Sequence, residues 1–184
     1  MTPKNTETAA VPGWRGRFYE DFAVGDVYQH SLGRTVTFAD NVWFTLLTMN
    51  TNELHFNAEA GAASEFGRPL IVSTLTIAIA TGQSVEDLTK NAVANLGWDE
   101  IRMTNPVFVD DTIWSESLVL EKRESTSRPY AGIVSVKTRA INQHGLEVCS
   151  FRRTFMVHKS DSPGARSVRP QPVNANWQVD SQTP

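Results

Sequence analysis

The sequence holds one cysteine, Cys149, among its 184 residues. An internal disulfide framework is thereby excluded, and a reducing compartment is the plain expectation. Cys149 sits in an alternating strand-like pattern, which suits packing better than nucleophilic attack. Histidine is also scarce: the four residues are spread along the chain with no two at ligand spacing, so no metal site is expected. No apolar run approaches the roughly 18 residues that a bilayer span requires. The opening MTPKNTETAAVPGW contains no apolar core of a signal peptide. A cytoplasmic protein with no membrane partner is the expectation. Neither sign of charge is in large excess. The net charge is −3 and the 17 Lys and Arg residues form no basic stripe, so nucleic acid is not an expected partner.

What is present suits one globular domain. A hydrophobic content of 40% and a charged content of 20% are ordinary, and 184 residues bury a single good core. Residues 1–15 and 160–184 are rich in Pro, Ser, Thr, Asn and Gln and read as poorly ordered tails, with Trp177 an isolated aromatic in the second. The folded unit is expected over 16–159.

Within it, Phe18 to Leu32 is strand-like around a Gly25-Asp26 turn signal. Thr37, with Asp40 three residues on, predicts a helix start. Phe38, Val42, Leu46 and Met49 then share one helical face, which Trp43 and Leu47 widen. Residues 69–82, PLIVSTLTIAIATG, read as a helix buried all round, capped at Ser73 or Thr74 and ended by Gly82 in the left-handed region. Ser84 and Asp87 suggest a further small cap. From Ala92 the period changes to two. AVANLGWDEIRM, TIWSESLVLEKRE, GIVSVKTRAI and LEVCSFRRTFMV are strands, and Asn142-Gln143-His144-Gly145 is a hairpin turn between the last two. Asp110-Asp111 is a turn pair. The sum is an α+β layout: an antiparallel sheet with a long central helix on one face.

The stretch Met49 to Asn57, MNTNELHFN, is where chemistry is expected, because it sets His55 among close-spaced amides after an amphipathic helix. His30, His144 and His158 read as structural or solvent-facing.

Three stretches carry a family resemblance. Met49-Asn50-Thr51-Asn52-Glu53-Leu54-His55 stands in register with G-D-x-N-P-L-H, and Phe66-Gly67-Arg68-Pro69-Leu70-Ile71-Val72-Ser73 with F-G-x-P-I-x-H-G. Pro106-Val107-Phe108-Val109-Asp110-Asp111-Thr112 is similar to P-V-x-x-G-D-T. Over about 18–158 the chain resembles the MaoC-like, or (R)-specific enoyl-CoA hydratase, family and its hot-dog fold. It departs from that pattern at Asn50, where the family has a catalytic Asp, at Glu53 in place of Pro, and at Val72-Ser73 in place of His-Gly. The stretches TVTFADNVWFTLLTMNTNELHF, EFGRPL and KRESTSRPYAGIV resemble a sub-branch associated with mesaconyl-CoA or itaconyl-CoA.

The resemblance implies reversible hydration of a 2-enoyl thioester, which needs an activated water at C3, a proton for C2 and a receiver for charge on the thioester oxygen. It implies His55 as acid and base, Asn50 as a group orienting the water, and the amides of Ser73 and Thr74 as receivers of the thioester carbonyl. Asn52 joins the substrate-binding candidates, although it and Glu53 also suit a turn. A substrate with its own carboxylate would be repelled by an Asp at 50, which Asn avoids, and would want a cation: Arg68 first, then Arg102 or Arg128. No cofactor is implied, since coenzyme A is part of the substrate. The resemblance also implies a homodimer with a continuous sheet and two interfacial sites, with a hexamer of dimers as a further assembly. A thioesterase on the same fold and a non-catalytic acyl-CoA-binding protein are the alternatives, Glu53 being the residue that would serve the first.

Overall fold

The computed structural model describes residues 11–165, 168–170 and 172–173. Two short strands, β1 (Val27–Gln29) and β2 (Arg34–Thr35), lead into helix α1 (Phe38–Thr48). The short helix α2 (Ala58–Ala63) and helix α3 (Ser73–Gln83) follow. Four long strands complete the domain: β3 (Ala92–Met103), β4 (Thr112–Glu124), β5 (Ala131–Asn142) and β6 (Glu147–His158). They make one antiparallel sheet in the order β1-β4-β5-β6-β3, with β2 also paired to β4, so the α+β expectation is met.

The period-two patterns place the core. On β5, Val134, Val136, Thr138 and Ala140 are fully buried, whereas Lys137 and Arg139 point out. Ile113 and Val119 of β4 and Phe151 and Phe155 of β6 are buried with them. Against this face lies α3, whose Leu75 and Ala80 join Val36, Ile71, Val72, Val107, Ile113, Ala140, Val148 and Phe151 in one cluster. The hairpin turn is the expected one: Gly145 has φ +76° and its amide donates to the Asn142 carbonyl.

The helices differ from expectation in several ways. Thr37 and Asp40 do close a reciprocal capping box at the start of α1. However, the apolar stripe of α1 faces outward, with Trp43, Leu46, Leu47 and Met49 between 66% and 86% exposed. The fully buried positions are polar, Asn41 and Thr45, while Phe38 and Val42 of the expected stripe are half-buried and Phe44 packs against the core. Helix α3 begins at Ser73 with Val72 as its N-cap, so neither Ser73 nor Thr74 caps it, and it is not buried all round. Leu75, Thr76 and Ala80 face inward, while Thr74, Ala78 and Gly82 are exposed. Gly82 does not end the helix in the left-handed region; the chain continues through Gln83 into a further turn at Val85–Thr89. The Ser84 hydroxyl caps nothing there and donates back to the Thr81 carbonyl.

Hydrogen bonds tie the N-terminal flank to the domain: the Trp14 indole donates to the Glu86 carbonyl, and Asn91 Nδ2 donates to the Arg15 carbonyl at 2.9 Å. Arg15 in turn donates to the Ala165 carbonyl at 2.7 Å, which joins the two flanks. Packing therefore extends beyond 16–159 at both ends. Residues 1–10 and Trp177 lie outside the described residues.

Candidate active site

The segment between α1 and α3 is held by backbone hydrogen bonds and one buried amide side chain. Met49 takes the left-handed conformation that ends α1, with φ +57°. Asn50 follows, and its Oδ1 accepts from the Asn52 amide at 3.0 Å, an Asx turn that swings the chain back. Asn52 in turn caps a single 3-10 turn, Glu53–His55, by accepting from the Leu54 amide. His55 thus arrives at the end of a turn built by two side-chain amides.

Asn41 then ties three elements together. It is fully buried, and its Nδ2 donates to the carbonyls of His55 (2.6 Å) and Leu70 (2.9 Å). Its Oδ1 accepts from the Val72 amide at 2.9 Å. One side chain of α1 therefore fixes both the histidine segment and the residue ahead of α3. The Leu70 amide adds a direct bond to the Leu54 carbonyl. Asn41 escapes a reading by sequence, because a lone Asn inside an apolar helix pattern gives no sign of partners so far along the chain.

His55 is 9% exposed, and its Nδ1 lies 2.8 Å from the Leu70 carbonyl. A carbonyl oxygen only accepts, so Nδ1 carries the proton and, in the neutral ring, Nε2 keeps its lone pair. Nε2 has no partner among the described residues. This is the arrangement a general base requires: one nitrogen anchored and the other open.

Two grooves flank this segment. The first, of about 240 Å³, is lined by Phe66, Leu70, Ile71, Ser73 and Thr76 on one side and by residues 103–107 on the other. It opens at the N-terminus of α3, where the amides of Ser73 and Thr74 have no acceptor among the described residues, and where the helix dipole favours negative charge. The second, of about 260 Å³, is lined by Val42, Thr45, Leu46, Met49, Asn50, Thr51 and Phe56 and is almost wholly apolar. Ser73 and Asn50 thus border different grooves, and His55 lies in the chain segment between them. The structure makes no hydrogen bond between Asn50 and His55.

The walls of the first groove follow from local packing. A Cβ on Gly61 would meet the Pro69 nitrogen at 2.6 Å, so only glycine lets α2 approach the FGRP turn. Leu70 bridges Phe108, and the Ile71 amide donates to Val107. Asp110, with φ +71°, and Asp111, which accepts from the Phe108 amide, form the turn that supports this wall. Arg68 stacks over Phe108 at 3.8 Å, next to Phe66, and forms no ion pair among the described residues. Arg128 contacts the Met156 sulfur and Arg102 bonds the carbonyl of its neighbour Ile101, so neither lines either groove. Glu53 is exposed and accepts from Asn57.

A second histidine cluster lies elsewhere. His30 is buried, with Nδ1 2.8 Å from Asp87 and Nε2 3.0 Å from Ser117 Oγ, which also pairs with Thr138 at 2.8 Å. Arg17 completes the cluster through an ion pair to Asp87 at 3.0 Å. Burial raises the Asp87 pKa, but the hydrogen bonds and charges of His30 and Arg17 outweigh it and hold the carboxyl below its ordinary value. Ser117 and Thr138 are fully buried, so this serine, histidine and aspartate set is closed to substrate. Cys149 is equally inert, since burial raises its thiol pKa to about 11. Among the described residues no three His, Cys, Asp or Glu gather as a metal would need, and no helix is long and apolar enough to cross a membrane.

The sequence model of the family described as mesaconyl-CoA hydratase matches residues 6–181. A mesaconyl-CoA hydratase from Cereibacter sphaeroides is 35% identical over 147 residues, covering 80% of this chain and 43% of that protein. A putative MaoC-domain dehydratase structure from Chloroflexus aurantiacus superposes with a TM-score of 0.78 at 28% identity, over 92% of this chain and 47% of that one. A Mycobacterium tuberculosis protein with a double hot-dog fold superposes at 0.73 with 22% identity, over 92% of this chain and 52% of its own. The fold is the hot-dog, and the chain spans less than half the length of the curated relatives it matches.

Proposed function

The chain belongs to the mesaconyl-CoA hydratase family, and on that footing we propose that it reversibly hydrates a short, branched or dicarboxylic 2-enoyl-CoA. The observation that carries the proposal is the anchored His55, whose Nδ1–H is fixed on the Leu70 carbonyl while Nε2 stays open. In the forward direction Nε2 takes a proton from water as its oxygen bonds to C3. The electron pair displaced from the double bond moves onto the thioester oxygen, and the amides of Ser73 and Thr74 receive that charge. The same imidazolium then returns its proton to C2, which regenerates the base. Asn50 orients the water through its Nδ2 protons and a remaining lone pair, the other being engaged by Asn52. Arg68 lines neither groove and stacks over Phe108 behind the wall of the first, so its part in this proposal is a long-range attraction for the anionic substrate.

A homodimer completes this proposal. Strand β3 ends the sheet order with one side unpaired, and Leu96, Trp98, Ile101 and Met103 on it are 41–48% exposed. Helix α3 leaves its small face, Thr74, Ala78 and Gly82, uncovered. A relative with a double hot-dog fold supports a second unit of the same kind over these surfaces, and the proposal assigns that place to a second copy of the chain.

The test is direct. With a panel of enoyl-CoAs that includes mesaconyl-CoA and crotonyl-CoA, the conjugated thioester absorbance falls and no free thiol appears. Thiol release instead would mark a thioesterase. Silence in both assays, with tight CoA binding, would mark a binding protein and overturn the proposal.

A further inference from the structure

Just beneath the wall of the groove at the start of α3 lies a polar atom that no described residue satisfies, and a small side-chain shift would bring it to a ligand. Thr76 is 1% exposed, and its Oγ1 makes no hydrogen bond among the described residues. A helical threonine hydroxyl ordinarily returns to a carbonyl one turn back, as Thr45 and Thr48 of α1 do at 2.7 Å. Thr76 does not, and the Val72 carbonyl, four residues back, already accepts the amides of Leu75 and Thr76. Burying a hydroxyl with no partner is unfavourable, so a ligand that accepts from it is favoured. Thr81, Gln83 and Thr89 also hold unpartnered atoms, but Thr76 alone among these four lines the groove. Ser73, one turn earlier, lines it too, and no Asp or Glu does.

We propose that Thr76 is a substrate-binding residue whose hydroxyl donates to the second, non-thioester carboxylate of a short dicarboxylic acyl-CoA. The assignment deepens the hydratase proposal and rests on its placing of the thioester carbonyl at the amides of Ser73 and Thr74. Three residues further along the helix is a rise of about 4.5 Å, the scale of a four-carbon acyl chain. The hydroxyl and the positive end of α3 both favour an anion there. A methyl group in the same place accepts no hydrogen bond and leaves the hydroxyl unpaired, which is how a polar site rejects an apolar analogue.

The experiment uses succinyl-CoA and butyryl-CoA, which differ by carboxylate against methyl and have no double bond to hydrate. Calorimetry on the wild type should give a preference for succinyl-CoA of about tenfold or more, as a hydrogen bond to a charged group supplies. Thr76→Val should bring that ratio close to one without lowering the melting temperature, and Thr76→Ser should keep it. The assignment is overturned if the wild type shows no preference, if Thr76→Val retains it, or if Thr76→Val weakens both ligands equally. The last result would put the hydroxyl on the shared thioester end. Because neither ligand reacts, a wild type with the preference but no hydration of mesaconyl-CoA would uphold Thr76 while refuting the hydratase.

Discussion

Two buried histidines in this chain have opposite surroundings. His30 has both ring nitrogens engaged, one by the Asp87 carboxylate and the other by Ser117, within a cluster that Arg17 and Thr138 complete. His55 has one nitrogen on a backbone carbonyl and the other open. By residue types alone, serine, histidine and aspartate at hydrogen-bond distance, His30 is the better imitation of a catalytic centre. Its serine is sealed, however, with Ser117 and Thr138 fully buried, and it joins the end of β1, β4 and the turn after α3, which reads as structural work. His55 lacks a carboxylate but has a nitrogen to offer. On the proposed reading, the free valence, and not the quality of the partners, separates the histidine that acts from the one that holds.

Removing each ring tests this contrast. His55→Ala should lower kcat for enoyl-CoA hydration about 10²–10⁴-fold, the range for losing a positioned acid–base group. The fold should survive, because the Leu70 carbonyl keeps its bond from Asn41 Nδ2. Near-wild-type turnover in a folded His55→Ala protein would end the catalytic assignment. The reverse pattern belongs to His30→Ala, which leaves a cavity and strips Asp87 of a partner. Stability should fall by about 2–4 kcal/mol in denaturant titration, with kcat unchanged in the folded fraction. A drop in kcat without a stability loss would erase the distinction.

The same cluster gives a pH signature. The Asp87 carboxyl is held below its ordinary value of 3.8, against the opposing effect of burial. A depressed carboxyl stabilises the fold fully above its unfolded pKa, and that contribution is lost as pH falls from there through the folded value. The wild type should therefore lose part of its stability below about pH 4. Asp87→Asn, already without the charge, should lose less over the same interval. Parallel stability curves for the two proteins would mean that the ion pair contributes nothing to acid stability.

Much of this was legible in the sequence, and what was not has a common cause. Strands β3 and β4 are readable to the residue: period-two alternation reports the half-buried β4 directly, whereas β3, which has no buried residue, is marked by its strand-forming residues and the breakers around it. The capping box at Thr37 and Asp40 is a local signal and equally clear. The outward stripe of α1 is different: a pattern shows that Trp43, Leu46 and Leu47 share a face but not what covers it. The start of α3 misled because no side chain caps it. Asn41 and Thr76 were invisible for a related reason. The bonds of Asn41 reach residues 14 to 31 positions away, and Thr76 is distinguished by a bond it does not make.

Asn50→Asp gives the finest cut, since it supplies the His55 region with the carboxylate that His30 has. The Asx turn should persist, because a carboxylate oxygen accepts the Asn52 amide at least as well as Oδ1 does. Stability should thus change little, and what changes is charge beside the substrate. Asn50 and Thr76 border different grooves, so the size of the effect measures how near the free carboxylate comes. At about 5 Å in a solvent-like dielectric, two like charges would repel by roughly 1 kcal/mol. That corresponds to about a fivefold shift in a ratio of rates. The kcat/KM ratio of mesaconyl-CoA to crotonyl-CoA should fall by that order, because only the first carries a free carboxylate. A general gain from a better water-orienting group would raise both substrates and leave their ratio untouched. In that event Asn50 would be a weaker version of the family's Asp, and the absence of a carboxylate would say nothing about substrate charge. A fall in the ratio, with crotonyl-CoA turnover held or raised, would make Asn50 an adaptation to an anionic substrate and tie the open nitrogen of His55 to that chemistry.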